Sequence, residues 1–153
     1  MTKTKKRIIW ASLAIVIVVF ATIFLVEYWQ KSGSQSDSFP LDGMEASLKM
    51  SGKGYYINIQ DNRSALQTIS RDASAEYSIA FNGTMTSYIE VGDKANTGMI
   101  QAQIFYFEYN ADAKLLYQAM LEKWTFEKEE GELRYRDNVV YMGYGAVLDD
   151  FEN

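Results

Sequence analysis

The sequence predicts an α+β protein. An N-terminal transmembrane helix precedes a small domain with a mainly antiparallel sheet and two or three helices, in the order β-β-α-β-β-β-α-β-β-α. Three observations predict it. Residues 8–26 form a run of 19 without a charge. Beyond residue 40, stretches of period-two alternation are separated by Gly, Asn and Asp turns. Two segments of that body carry apolar residues at helical spacing instead.

Residues 1–7 are a basic tip holding Lys3, Lys5, Lys6 and Arg7, and no acid precedes Glu27. The apolar run Ile8 to Val26 would be about 28 Å long as a helix, close to the hydrocarbon thickness of a bilayer. Trp10 at one end and Tyr28 and Trp29 at the other are suited to the interfaces, giving a span of 8–29. The basic tip puts the N-terminus in the cytoplasm and the C-terminal domain outside the cell membrane. An uncleaved signal anchor is favoured over a signal peptide cut after Ser34. Ser32-Gly33-Ser34 lies well beyond the apolar run, and that run exceeds the usual signal-peptide core. The bilayer is thus the first expected partner. Residues 30–40 are Ser- and Gly-rich, close on Pro40 and read as a flexible linker.

Residues 41–153 suit one extracytoplasmic domain. Met44 to Met50 alternates apolar and polar residues, which predicts a strand. Ser51 to Gly54 makes a turn, and Tyr55, Ile57 and Ile59 continue as the second arm of a hairpin. Asp61 or Asn62 caps a short helix carrying Ala65, Leu66, Ile69 and Ala73. Asn82-Gly83 signals a second hairpin between strands bearing Tyr77, Ile79 and Phe81 and then Met85, Ile89 and Val91. Keeping both apolar sets on one face requires a bulge at that turn.

A long strand follows from Gly98 to Tyr109. Asn110 then caps a helix from about Ala111 to Phe126, with Leu115, Leu116, Ala119, Met120 and Trp124 on its apolar stripe and Lys123 paired outwardly with Glu127. A two-residue turn at Asp137-Asn138 sets Leu133 opposite Met142 and Tyr135 opposite Val140. Val147, Leu148 and Phe151 fit a short terminal helix. The helices are expected on one face of the sheet.

Composition excludes several chemistries. The chain has no cysteine and no histidine, which removes thiol and imidazole catalysis, disulfides and the usual zinc ligands. Of fifteen basic residues, four precede Glu27, so eleven face twenty acids from residue 27 onward, a balance of −9. A body of that sign argues against nucleic acid and favours basic partners. The acidic runs at 127–132 and 149–152 lack the spacing of a calcium loop and read as solvated faces. No nucleophile elbow or phosphate loop occurs, and Ser47 with Lys49 reads as an exposed strand face. Asn62-Arg63-Ser64 and Asn82-Gly83-Thr84 match the glycosylation pattern, which matters only in a eukaryotic lumen. No catalytic residue, cofactor or metal ligand is therefore assigned, and the reading leans away from an enzyme.

One candidate surface stands out. Phe105, Phe107 and Tyr109 share a face of an aromatic strand and could meet a partner or ligand, although a central strand buried on both sides explains them better. The expectation is a bacterial single-pass protein whose domain is a binding or interaction module, an accessory subunit of an envelope complex. A small-ligand sensor or carrier is the alternative, and a histidine-free hydrolase the second alternative.

Overall fold

The computed structural model describes residues 39–93, 95, 98–123 and 131–153. The basic tip, the expected span at 8–29 with its anchors Lys3, Lys5, Lys6, Arg7, Trp10, Tyr28 and Trp29, and most of the linker lie outside the described residues. So do Trp124 and residues 125–130, Glu127 among them. Among the described residues, no helix is long and apolar enough to cross a membrane.

The described elements are α1 (Gly43–Gly52), β1 (Tyr56–Gln60), α2 (Arg63–Tyr77), β2 (Met85–Gly92), β3 (Ile100–Phe107), α3 (Asn110–Lys123), β4 (Glu132–Arg136), β5 (Val139–Gly143) and α4 (Gly145–Glu152). The five strands form one antiparallel sheet in the order β1-β2-β3-β5-β4. The α+β class and the antiparallel sheet therefore agree with the sequence. Helices lie on both faces of the sheet, however, and not on one. The first face packs against α1 and α4 through Ala46, Met50, Ile89, Ile104, Tyr106, Tyr141, Leu148 and Phe151. The second packs against α2 and α3 through Leu66, Met85, Phe105, Phe107, Leu116, Met120 and Val140.

The segment Met44 to Met50 is helical, correcting the expected first strand. Its alternation is compatible with either structure, and its start decides. The Asp42 carboxylate accepts from the backbone N–H of Met44 and Glu45, both at 2.9 Å. Glu45 reaches back to accept from Leu41 N–H at 2.8 Å. This reciprocal arrangement satisfies N–H groups that a helix start otherwise leaves unpaired. Gly43 lets α1 approach β2 closely, because a Cβ there would collide with the Ser87 side chain. The first hairpin is thus a helix followed by an edge strand.

The second expected hairpin is also absent. Asn62 caps α2 by accepting from Ala65 N–H at 2.9 Å, as the sequence suggests, but α2 runs on through Tyr77. It stops at Ser78, which takes a left-handed conformation with φ 57°. Residues 79–84 then cross to β2 without strand pairing. No bulged turn forms at Asn82-Gly83; a different bulge lies inside β2 and parts Met85 from Ile89 and Val91. Met85 pairs with Phe107 and Ser87 with Tyr106, so Thr86 is the extra residue. Met85 consequently joins Ile79 and Phe81 on the second face, while Ile89 and Val91 lie on the first.

The final hairpin matches its expected register. Leu133 pairs with Met142 and Tyr135 with Val140, with Asp137 at φ 53° in the turn. Val147, Leu148 and Phe151 are the buried residues of α4. Asn110 is the first residue of α3, and its side chain accepts from the Tyr135 hydroxyl.

Candidate functional site

Phe105 and Phe107 do not form a partner surface. β3 is the central strand, and both rings are core residues of the second face. Phe107 packs at a tilt against Phe81 with ring centroids 5.1 Å apart, and Phe105 against Tyr88 at 5.0 Å. Tyr109 lies beyond the strand and is half exposed. Phe105 and Phe107 are thus packed in the core, and Tyr109 is separated from them at the surface. Ser47 and Lys49 do not make a dyad either. Residues two apart on a helix point to different sides, and Lys49 is turned into the fold. The carboxylates of Glu132, Asp149 and Glu152 converge on the Arg134 guanidinium at 2.6, 2.9 and 3.2 Å. They strap α4 to the edge strand β4.

Two hollows among the described residues flank α2. One is a groove of about 820 Å³ between α2 and the segment 79–86. Its position follows from two local devices. The left-handed turn at Ser78 sends the chain back alongside the helix it has just left. Fully buried Asp112, in the first turn of α3, then pulls residues 82–83 inward, accepting from Asn82 and Gly83 N–H at 2.7 Å each. Gly83 is required for that approach, since a Cβ would strike the Tyr109 ring and stand 2.9 Å from the Asp112 carboxylate. Asn82-Gly83 is thus a docking point for a carboxylate and not a hairpin turn.

Leu66, Ile79, Phe81 and Met85 give the groove an apolar floor. Arg63 and Arg71 stand on its rim, eight residues and about 12 Å apart along α2. Arg71 meets Asp72 at 3.4 Å in an exposed contact, and Arg63 makes no ion pair among the described residues. With Asp61 as the one acid in the lining, the groove carries a local positive balance on an acidic domain. The sequence contained both arginines, but only the course of 79–86 brings an apolar floor beneath them.

The second hollow, about 520 Å³, lies between the start of α2 and the sheet. Its polar groups form a directed network. Gln60 donates to Asn58 at 3.3 Å, and Asn58 donates to Glu90 at 2.9 Å. Gln103 donates to the Tyr88 hydroxyl at 2.6 Å, which donates to Glu90 at 3.0 Å. Both chains of donors end on the Glu90 carboxylate. Burial, and the negative Glu90 beside it, push the Tyr88 hydroxyl well above the ordinary tyrosine range. It therefore stays protonated at neutral pH and acts as a donor rather than a base. The pairing Asn58–Glu90–Gln103 across three strands creates this network, and residues so far apart in sequence gave no local signal of it.

Comparisons with protein-family models, with curated proteins and with solved structures returned no match.

Proposed function

We propose that this is a single-pass membrane-anchored protein whose extracytoplasmic domain is an interaction module, and that the groove beside α2 receives an acidic, extended segment of a partner protein. The observation that carries this reading is the pairing of an apolar floor with two arginines on the rim. Apolar side chains of a bound segment would fill the space over Ile79 and Phe81, and carboxylates would meet Arg63 and Arg71. Arginine suits that task because its planar fork binds carboxylates in two-point fashion. The domain as a whole repels acidic partners, so attraction confined to this groove would favour correct docking over random contact. The anchor and the short linker support an assembly at the membrane, where tethering raises the effective concentration of the module.

The test places a photo-crosslinking residue at Gln67 or Ser70, within the groove, and at Leu121 on α3 as a control, in the full chain in its native membrane. A discrete adduct should form from the groove positions and not from Leu121, with the crosslinked peptide rich in Asp or Glu. Reversing both rim charges, Arg63→Glu with Arg71→Glu, should reduce the adduct by roughly tenfold or more, equivalent to about 1.4 kcal/mol. Adducts equally strong from Leu121, or unchanged by charge reversal, would remove the groove from the reading.

A further inference from the structure

We infer that α1 lies on the bilayer surface, with Leu41, Met44 and Leu48 seated in the lipid interface. This rests on the reading of residues 8–29 as a membrane anchor. The carrying observation is local: these three large apolar side chains are 74, 69 and 70% exposed, while Gly43, Ala46, Lys49 and Met50 turn inward. Met44 and Leu48, four residues apart, share one outward face of the helix, and Leu41 stands just before its start. A single exposed leucine is ordinary on a protein surface, but a row of three is a patch that calls for a partner.

The chain outside the structure says what that partner is. The uncharged run ends at Val26, and the described chain begins at Phe39. Twelve intervening residues reach at most about 40 Å when fully extended and about 20 Å as a flexible coil. Leu41 is the second residue after Phe39, so the stripe starts where the tether delivers the chain to the domain. That entry is fixed on the first face. The Tyr106 hydroxyl donates to Pro40 O at 3.0 Å, and the Phe39 ring packs edge-on against Phe151 with centroids 5.2 Å apart. The stripe and the chain's entry at Phe39 and Pro40 are therefore on one side of the sheet, and the groove beside α2 is on the other.

The charged groups beside the stripe are engaged within the domain, and Asp42 accepts from Met44 and Glu45 N–H. Glu45 accepts from Leu41 N–H, and Lys53 pairs with Asp150 at 3.5 Å. The lipid contact is thus an apolar one, made to zwitterionic lipid, in a domain whose acidic charge disfavours anionic lipid.

The test uses the full chain in phosphatidylcholine bilayers. Because it contains no cysteine, single replacements Met44→Cys, Leu48→Cys, Gln67→Cys and Val18→Cys can each carry one nitroxide label. The readout is the ratio of accessibility to oxygen, which concentrates in lipid, over accessibility to a water-soluble nickel chelate. The ratio at Met44 and Leu48 should exceed that at Gln67 severalfold. Adding Leu48→Glu, at an exposed position, should return the Met44 label to the Gln67 value. A Leu48 label as aqueous as Gln67, with Val18 in lipid, overturns the docking and leaves the anchor standing. An aqueous Val18 overturns the anchor, and the docking with it. A Leu48 label shielded from both reagents means that protein covers the stripe, and this also overturns the lipid contact.

Discussion

Asp112 shows how much one residue can organise. Its carboxylate takes the only described hydrogen bonds of Asn82 and Gly83 N–H and so holds one wall of the groove. Replacing it with Ala would remove both bonds and leave the two donors to the groove's solvent. Asp112→Ala should lower unfolding stability by about 1–3 kcal/mol, since bonds to a charged group are worth about 1.5–3 kcal/mol and water can reach both donors. Gly83→Ala should lower it by about 1–2 kcal/mol through overpacking against Tyr109. Urea titration of each variant checks both values, and wild-type stability in Asp112→Ala would show that the clasp is not holding the segment. Neither role was readable in the sequence. Asn-Gly is a strong hairpin signal wherever it occurs, and nothing local announces a carboxylate arriving from thirty residues away.

The elements divide by the range of the interactions that specify them. β4, β5 and α4 agree with the sequence because adjacent residues settle them: a two-residue turn, facing apolar pairs and one helical stripe. α2 and its Asn62 cap were legible for the same reason. α1 was misread because its even-numbered apolar residues satisfy a period of two, whereas burial follows positions 43, 46, 49 and 50. The Asp42–Glu45 capping pair was the available signal, reinforced by Glu, Ala, Leu, Lys and Met, all good helix formers. The groove was illegible because its two walls are brought together by the left-handed turn at Ser78.

Contacts between elements can be tested at the same scale. Burial opposes the charge on Arg134, but the hydrogen bonds it donates to Glu132, Asp149 and Glu152 outweigh it and hold the guanidinium firmly protonated. Its carboxylate partners remain partly open to solvent, so their contribution is modest. Arg134→Gln should lower stability by about 1 kcal/mol at low ionic strength, and the difference from wild type should shrink with added salt. A loss that does not respond to salt would mean that packing of the side chain, and not its charge, secures α4.

For the whole molecule, tyrosines dominate the response to alkali. Burial, aided by the bond to Asp150, pushes the Tyr55 hydroxyl up to about 12. Burial pushes Tyr88, Tyr106 and Tyr141 upward as well, with negative groups or neighbouring tyrosine adding to it. The folded chain therefore retains protons that the unfolded chain releases near the ordinary tyrosine value of 10. The stability these groups contribute is complete below that pH and is lost progressively as pH rises through 10 towards 12. Urea midpoints measured from pH 8 to 11.5 should fall steeply above 10, and tyrosinate absorbance should rise in step with unfolding. A midpoint unchanged to pH 11 would contradict the burial of these hydroxyls. The chain has no histidine, so imidazole contributes nothing to its behaviour between pH 5 and 8.

Thr86 sets how the chain tolerates a change of length. Most surface segments absorb the loss of one residue, because closing a slightly shorter loop changes little. Thr86 instead marks the place where the inside–outside alternation changes phase. Before it, Ile79, Phe81 and Met85 address the layer holding the groove; after it, Ile89 and Val91 address the layer holding α1 and α4. Deleting that one threonine would shorten nothing of consequence, yet it would turn one side of the bulge inside out. The residue least committed to either core is the one that lets a single strand serve both.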